Sequence, residues 1–164
     1  VVAQEREAHG EVRNYATNQG GYRSVPVLLD DELMQQIGMR FLVTSWGAQG
    51  PSILVSGAFS DLPQHFRDAG IWHEMGHIHH KHHLQGEFSD QNQLRAARIA
   101  AIKNGQVTPQ EVEADRFAVA RSGKEAIIGF LYHLLDTRPS GSQSGWNDLG
   151  KQELEIRIRL VKSY

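Results

Sequence analysis

Apolar residues along this chain fall in short runs whose period changes part-way through. Near the front they are β-rich: VPVLL at 25–29, then MRFLVTSW at 39–46 and SILVSGAF at 52–59, with the turn-forming GAQGP between the last two. Such runs, bounded by Gly and Pro, predict strands, and the last two read as a hairpin or as neighbouring strands. DDELMQQIG at 30–38 opens on two acids and stops at Gly38, which predicts a short helix. From about residue 63 the spacing becomes helical. DLPQHFRDAGIWHEMGHIHHKHH carries Asp61 as a candidate cap and Pro63 near the first turn, with Gly86 beyond its end, so one helix is expected over about 63–84. QLRAARIAAIKNG closes at Asn104-Gly105. TPQEVEADRFAVARSG has Thr108 as cap, Pro109 at the first helical position and Glu111 three residues after the cap. KEAIIGFLYHLLD and KQELEIRIRLVKS complete the helices, separated by the polar loop RPSGSQSGWNDLG.

The first twenty residues are polar and read as a charged helix, a mobile arm or a pro-segment that blocks the cleft. The expected architecture is one domain over 1–164 of the α+β class, a small N-terminal sheet and a helical body behind it.

Composition narrows the chemistry. A chain of 164 residues with net charge −2 suits one globular domain and offers no electrostatic case for nucleic acid. There are no cysteines, so a metal would have to sit on histidine and carboxylate. The longest apolar run, AIIGFLYHLL at 126–135, is broken by Gly129 and His133 and falls short of the ~18 residues a membrane span needs. A soluble protein of the cytoplasm or periplasm is expected, and the start at Val1 leaves room for a removed signal or anchor.

Residues 73–83 hold six histidines. The first two frame an HExxH sequence, His73-Glu74-Met75-Gly76-His77. On a helix, positions four apart share a face, so His73 and His77 can grip one zinc ion. Glu74 beside them can take the proton of a water that zinc acidifies. The uncharged Met75 and Gly76, and the flanking Ile71, Trp72 and Ile78, suit a packed helix. His79 and His82 point off that face, and His80 is the one rival ligand in the run. The bland alternative is a polar helix with solvated histidines.

A second segment weighs against that alternative. With Glu111 at zero on a helical wheel, Asp115 falls at about 40°, among Ala118 and Val119, whereas Glu113 and Arg116 fall on the far side at about 200° and 140°. Two carboxylates in an apolar sector need a cation or hydrogen-bond donors. A zinc ion lacking a third ligand and the N–H of a ligating histidine would supply both. Glu111 alone could instead close a capping box, and Asp115 could be a core aspartate paired with an arginine such as Arg157.

HExxH followed by ExxAD on a later helix resembles the gluzincin metallopeptidases, above all peptidase family M-48, with its HtpX heat-shock and CAAX-processing branches. GAF at 57–59 resembles the strand segment before that family's active-site helix, GIWHEMGHIHHKH the helix itself, EVEADRFAV its glutamate helix, and LEIRIRL at 154–160 its closing segment, where an arginine stands at Arg157. The resemblance implies a zincin fold whose edge strand lines the cleft. It implies one zinc per chain held by His73, His77 and Glu111, Glu74 as general base and Asp115 orienting a ligand histidine. The activity implied is zinc-dependent endopeptidase action on a peptide or protein substrate, extended along SILVSG at 52–57 as the edge strand. Lys151-Gln152 stand where the family often has His-Pro, so Tyr132, His133 and Arg157 are the candidates to support the oxyanion. The EVEADRFAVA helix is also similar to that of ImmA/IrrE-type proteases, which cut repressors. A reading of another class is an inactive zinc-binding interaction module, in which His79, His80, His82 and His83 add a weak surface site for nickel or copper.

Overall fold

A computed structural model describes residues 13–15, 25–85, 90–138 and 146–164. Four strands, β1 (Arg13–Tyr15), β2 (Val25–Leu29), β3 (Leu42–Gly47) and β4 (Gly50–Val55), form one sheet in the order β1-β2-β4-β3. β2 runs parallel to β4, and the other two pairings are antiparallel. Between and after the strands come α1 (Asp31–Gln36), α2 (Gly57–Ser60), α3 (Gln64–His79), α4 (Gln91–Lys103), α5 (Pro109–Ser122), α6 (Lys124–Asp136) and α7 (Trp146–Ser163). The class is α+β, as the sequence predicts.

The expected hairpin forms: Gly47 pairs with Gly50 across Ala48 and Gln49, and Gly50 takes a φ of +109° that a side chain would resist. Four expectations change. SILVSG is not the edge. β4 lies between β2 and β3, and its Ile53, Leu54 and Val55 are all buried. The free edge on this side is β3. Second, the strand ends at Val55, and GAF opens a helical turn because the Ser56 hydroxyl accepts from the Phe59 N–H at 3.2 Å. Third, Arg13–Tyr15 pairs with β2 instead of forming a helix; the rest of the first twenty residues lies outside the described ones. Fourth, α7 starts at Trp146 and takes the end of the expected polar loop.

The longest helix expected from sequence is also cut short. α3 ends at His79, Lys81 turns left-handed at φ 54°, ψ 41°, and His82–Leu84 form a separate 3-10 turn. A left-handed residue is where a helix commonly stops, but glycine or asparagine usually fills it. Lysine there costs roughly 1–2 kcal/mol.

The core lies between the sheet and the helices. Ile53 and Val55 from the sheet meet Ile71, Met75 and Ile78 of α3, Leu131 of α6 and Ile158 of α7 in one buried cluster. α3 and α5 approach tightly at Gly76: an added Cβ there would sit 2.8 Å from Ala114 Cα and 3.0 Å from its carbonyl oxygen. The glycine inside HExxH thus lets α5 press its glutamate face onto the histidines.

Candidate metal centre

That close approach brings together His73, His77 and Glu111, which form a group able to hold a metal ion. The two Nε2 atoms lie 3.2 Å apart. Glu111 faces both, with Oε2 3.4 Å from His73 Nε2 and Oε1 3.4 Å from His77 Nε2. The capping alternative for Glu111 is not realised, since its carboxylate points to the histidines. Thr108 still starts the helix with extended backbone ahead of Pro109, without a side-chain cap.

His73 is steadied by a buried charge network. Its Nδ1 lies 2.8 Å from Asp115 Oδ1. A carboxylate can only accept, so Nδ1 carries the proton and Nε2 keeps a lone pair for a metal. Arg157 holds Asp115 from the other side, donating from Nε to Oδ2 at 2.8 Å and from Nη2 to Oδ1 at 2.7 Å, and its Nη1 lies 3.5 Å from Glu111 Oε2. Asp115 therefore contacts His73 and Arg157 at once. One turn before Arg157 on α7, Glu153 accepts a two-pronged pair from Arg98 at 3.0 and 2.7 Å.

The electrostatics favour a cation. Within this cluster two buried carboxylates, Asp115 and Glu153, and the partly buried Glu111 face two guanidiniums. Burial pulls Glu111 upward, but the charge of Arg157 and the hydrogen bonds of His73 and His77 hold it well below the usual carboxylate range. Asp115 behaves alike: burial raises it, and Arg157 and His73 outweigh that and lower it. Burial and Arg157 pull His73 down, yet Asp115 and Glu111 push it up to about 10. The site thus attracts positive charge to His73 Nε2, as a proton or as a metal ion.

His77 has a different support, which the helical wheel missed. Its Nδ1 lies 2.8 Å from Nδ1 of His82, whose side chain is fully buried. His82 Nε2 in turn lies 2.7 Å from Glu113 Oε2. His82 was expected off the ligand face, but the break at Lys81 ends the helical spacing and folds it back beneath His77. Glu113, expected to face water, is 47% exposed and still closes this chain with one oxygen. His82 is therefore not part of a surface histidine cluster. His79 and His80 pack on Phe117, and His83 stacks on Trp46 of β3 at 3.2 Å between ring centres. Among the described residues, His80 joins no metal-holding group.

Glu74 points to the sheet. Its Oε2 accepts from the Thr44 N–H at 3.0 Å and from the Thr44 hydroxyl at 2.5 Å. The Ser56 N–H donates to the Phe41 carbonyl at 3.0 Å, and bonded pairs alternate along an antiparallel ladder. Leu42, Thr44 and Trp46 therefore turn their backbone groups away from β4, and the Thr44 N–H meets Glu74. No sequence signal marked Thr44. Of the proposed oxyanion supports, only Arg157 is at the centre. Tyr132 accepts from Lys162 Nζ at the surface, and His133 sits against Phe41 and Phe66, two helical turns before His73. No helix among the described residues is long and apolar enough to cross a membrane.

No family model matches this chain, and neither curated proteins nor solved structures give a match.

Proposed function

We propose that this chain is a zinc-dependent endopeptidase of the gluzincin kind, with His73, His77 and Glu111 as ligands and Glu74 as general base. The triangle of ligand atoms carries the reading. Its edges are 3.2, 3.4 and 3.4 Å. Zinc bonds of ~2.0–2.1 Å in a tetrahedron set ligand atoms roughly 3.3 Å apart. The lone pairs of two imidazoles that close repel each other unless a proton or a metal ion lies between them, and the excess carboxylate charge favours such a cation. A bound zinc would supply a Lewis acid for the scissile carbonyl and acidify a water toward pKa ~7.

The chain's own residues do the rest. Thr44 fixes Glu74 by Oε2, which leaves Oε1 to accept the proton of the water and pass it to the leaving amine. The substrate lies extended along β3, using the outward-facing backbone of that edge. Arg157 keeps Asp115 and Glu111 ionised and in place.

The test is hydrolysis of casein by zinc-loaded protein beside Glu74→Gln. The variant should bind zinc as the wild type does, and its turnover should fall by roughly 10²–10⁴-fold. Full turnover in the variant would sink the mechanism. One observation favours a second reading, a zinc-binding module without turnover: the Thr44 N–H that faces the cleft is already donated to Glu74. Tight zinc binding by a wild type that cuts nothing would select it.

A further inference from the structure

We propose that Glu113 and His82 form a positioning chain for His77, holding its ring so that Nε2 faces His73 Nε2 and Glu111. The inference rests on the metal reading of the site and adds two residues to it. Directionality carries the argument. Glu113 can only accept, so the proton between it and His82 sits on His82 Nε2. A neutral His82 then has its lone pair at Nδ1, where the 2.8 Å contact makes it the acceptor for His77 Nδ1–H. That leaves the lone pair of His77 on Nε2. The same outcome reaches His73 through Asp115, so both histidines are set in the tautomer a metal requires.

Two further features fit the role. His82 is fully buried, so a ring nitrogen there is costly without a partner, and both of its nitrogens have one. The turn that delivers it holds Lys81 in a left-handed conformation, and it is braced on both sides: His80 stacks on His82 at 5.5 Å and 13°, and Trp46 stacks on His83. Strain kept in place by its surroundings points to a function for the turn.

The experiment measures zinc affinity by chelator competition, and the d–d spectrum of the cobalt-loaded protein, for wild type, Glu113→Ala, Glu113→Gln, His82→Ala and His73→Ala. Glu113 lies at the surface, so its variants should fold, which melting of the metal-free proteins checks. Loss of a group that orients a ligand histidine typically weakens metal binding 10–100-fold. Glu113→Ala is expected at the low end, about tenfold, and His82→Ala nearer a hundredfold. Glu113→Gln keeps an acceptor for His82 Nε2–H and should recover most of the loss. The cobalt spectrum should shift in Glu113→Ala, while the metal-free melting temperature falls by only the few degrees that one unpartnered ring nitrogen costs. Wild-type affinity and an unchanged spectrum in Glu113→Ala would overturn the proposal, as would a glutamine variant no better than alanine. If His73→Ala binds zinc as the wild type does, the metal reading itself falls and takes this inference with it.

Discussion

His73 and His77 sit one turn apart on α3 and present the same atom to the same point, yet they are held by unlike means. The His73 arm runs inward through Asp115 to Arg157 on α7, and Asp115 is 2% exposed. The His77 arm runs outward through His82 to Glu113, whose side chain is 47% exposed. The first arm is part of the core, so disturbing it should unfold the protein. The second is a turn laid over the helix end, so disturbing it should loosen a ligand at a smaller cost in stability. One centre thus draws on two kinds of support: a buried ion network for stability, and a half-solvated chain that sets geometry.

The largest expected effect tests that division directly. Arg157→Ala leaves the buried Asp115 and the partly buried Glu111 without their cation and should cost about 3–5 kcal/mol in urea denaturation. Glu113→Ala, measured the same way without metal, leaves the buried His82 Nε2–H without its partner and should cost about 1 kcal/mol. Equal losses would break the comparison. Gly76→Ala strikes both arms, because its methyl meets the Ala114 backbone and pushes α5 from α3. It should cost about 1–3 kcal/mol and also weaken zinc binding, since Glu111 moves with α5. Thr44→Val is the smallest change and touches neither arm. It removes the hydroxyl bond to Glu74 but keeps the backbone one, so stability should fall by under about 1.5 kcal/mol. Zinc affinity should stay at the wild-type value while turnover drops, and a change in affinity would show that β3 also supports the ligands.

Much of the His73 arm was legible in the sequence. HExxH and the Glu111–Asp115 pair both use four-residue spacing inside single helices, and helical geometry carries that spacing into space unchanged. The helix starts at Pro109 and Lys124, the hairpin turn and the stop after Lys103 were also readable, because each depends on the residues at that place. The His77 arm was not legible. Projecting His82 around a wheel assumed that α3 continues, but it ends at His79 and the chain turns left-handed at Lys81, a residue with no helix-ending chemistry. Glu113 was correctly read as outward, but nothing local showed that a histidine would fold back to meet it. The edge strand was misread although a clue was present. The apolar run SILV suits a strand covered on both sides, and the more mixed MRFLVTSW suits an edge.

By itself, then, the sequence determined the elements and the chemistry that repeats within one element: two histidines, a neighbouring glutamate and two carboxylates in an apolar sector. Only the tertiary structure decided which strand is the edge of the sheet, that Thr44 grips Glu74, that Arg157 serves Asp115 and Glu111 together, and that His82 meets His77. The physical reason is range. Within a helix, backbone hydrogen bonds set the relation of one residue to the next, whereas contacts between elements depend on how closely whole surfaces pack, as at Gly76 against Ala114, and on where a helix gives way to a turn.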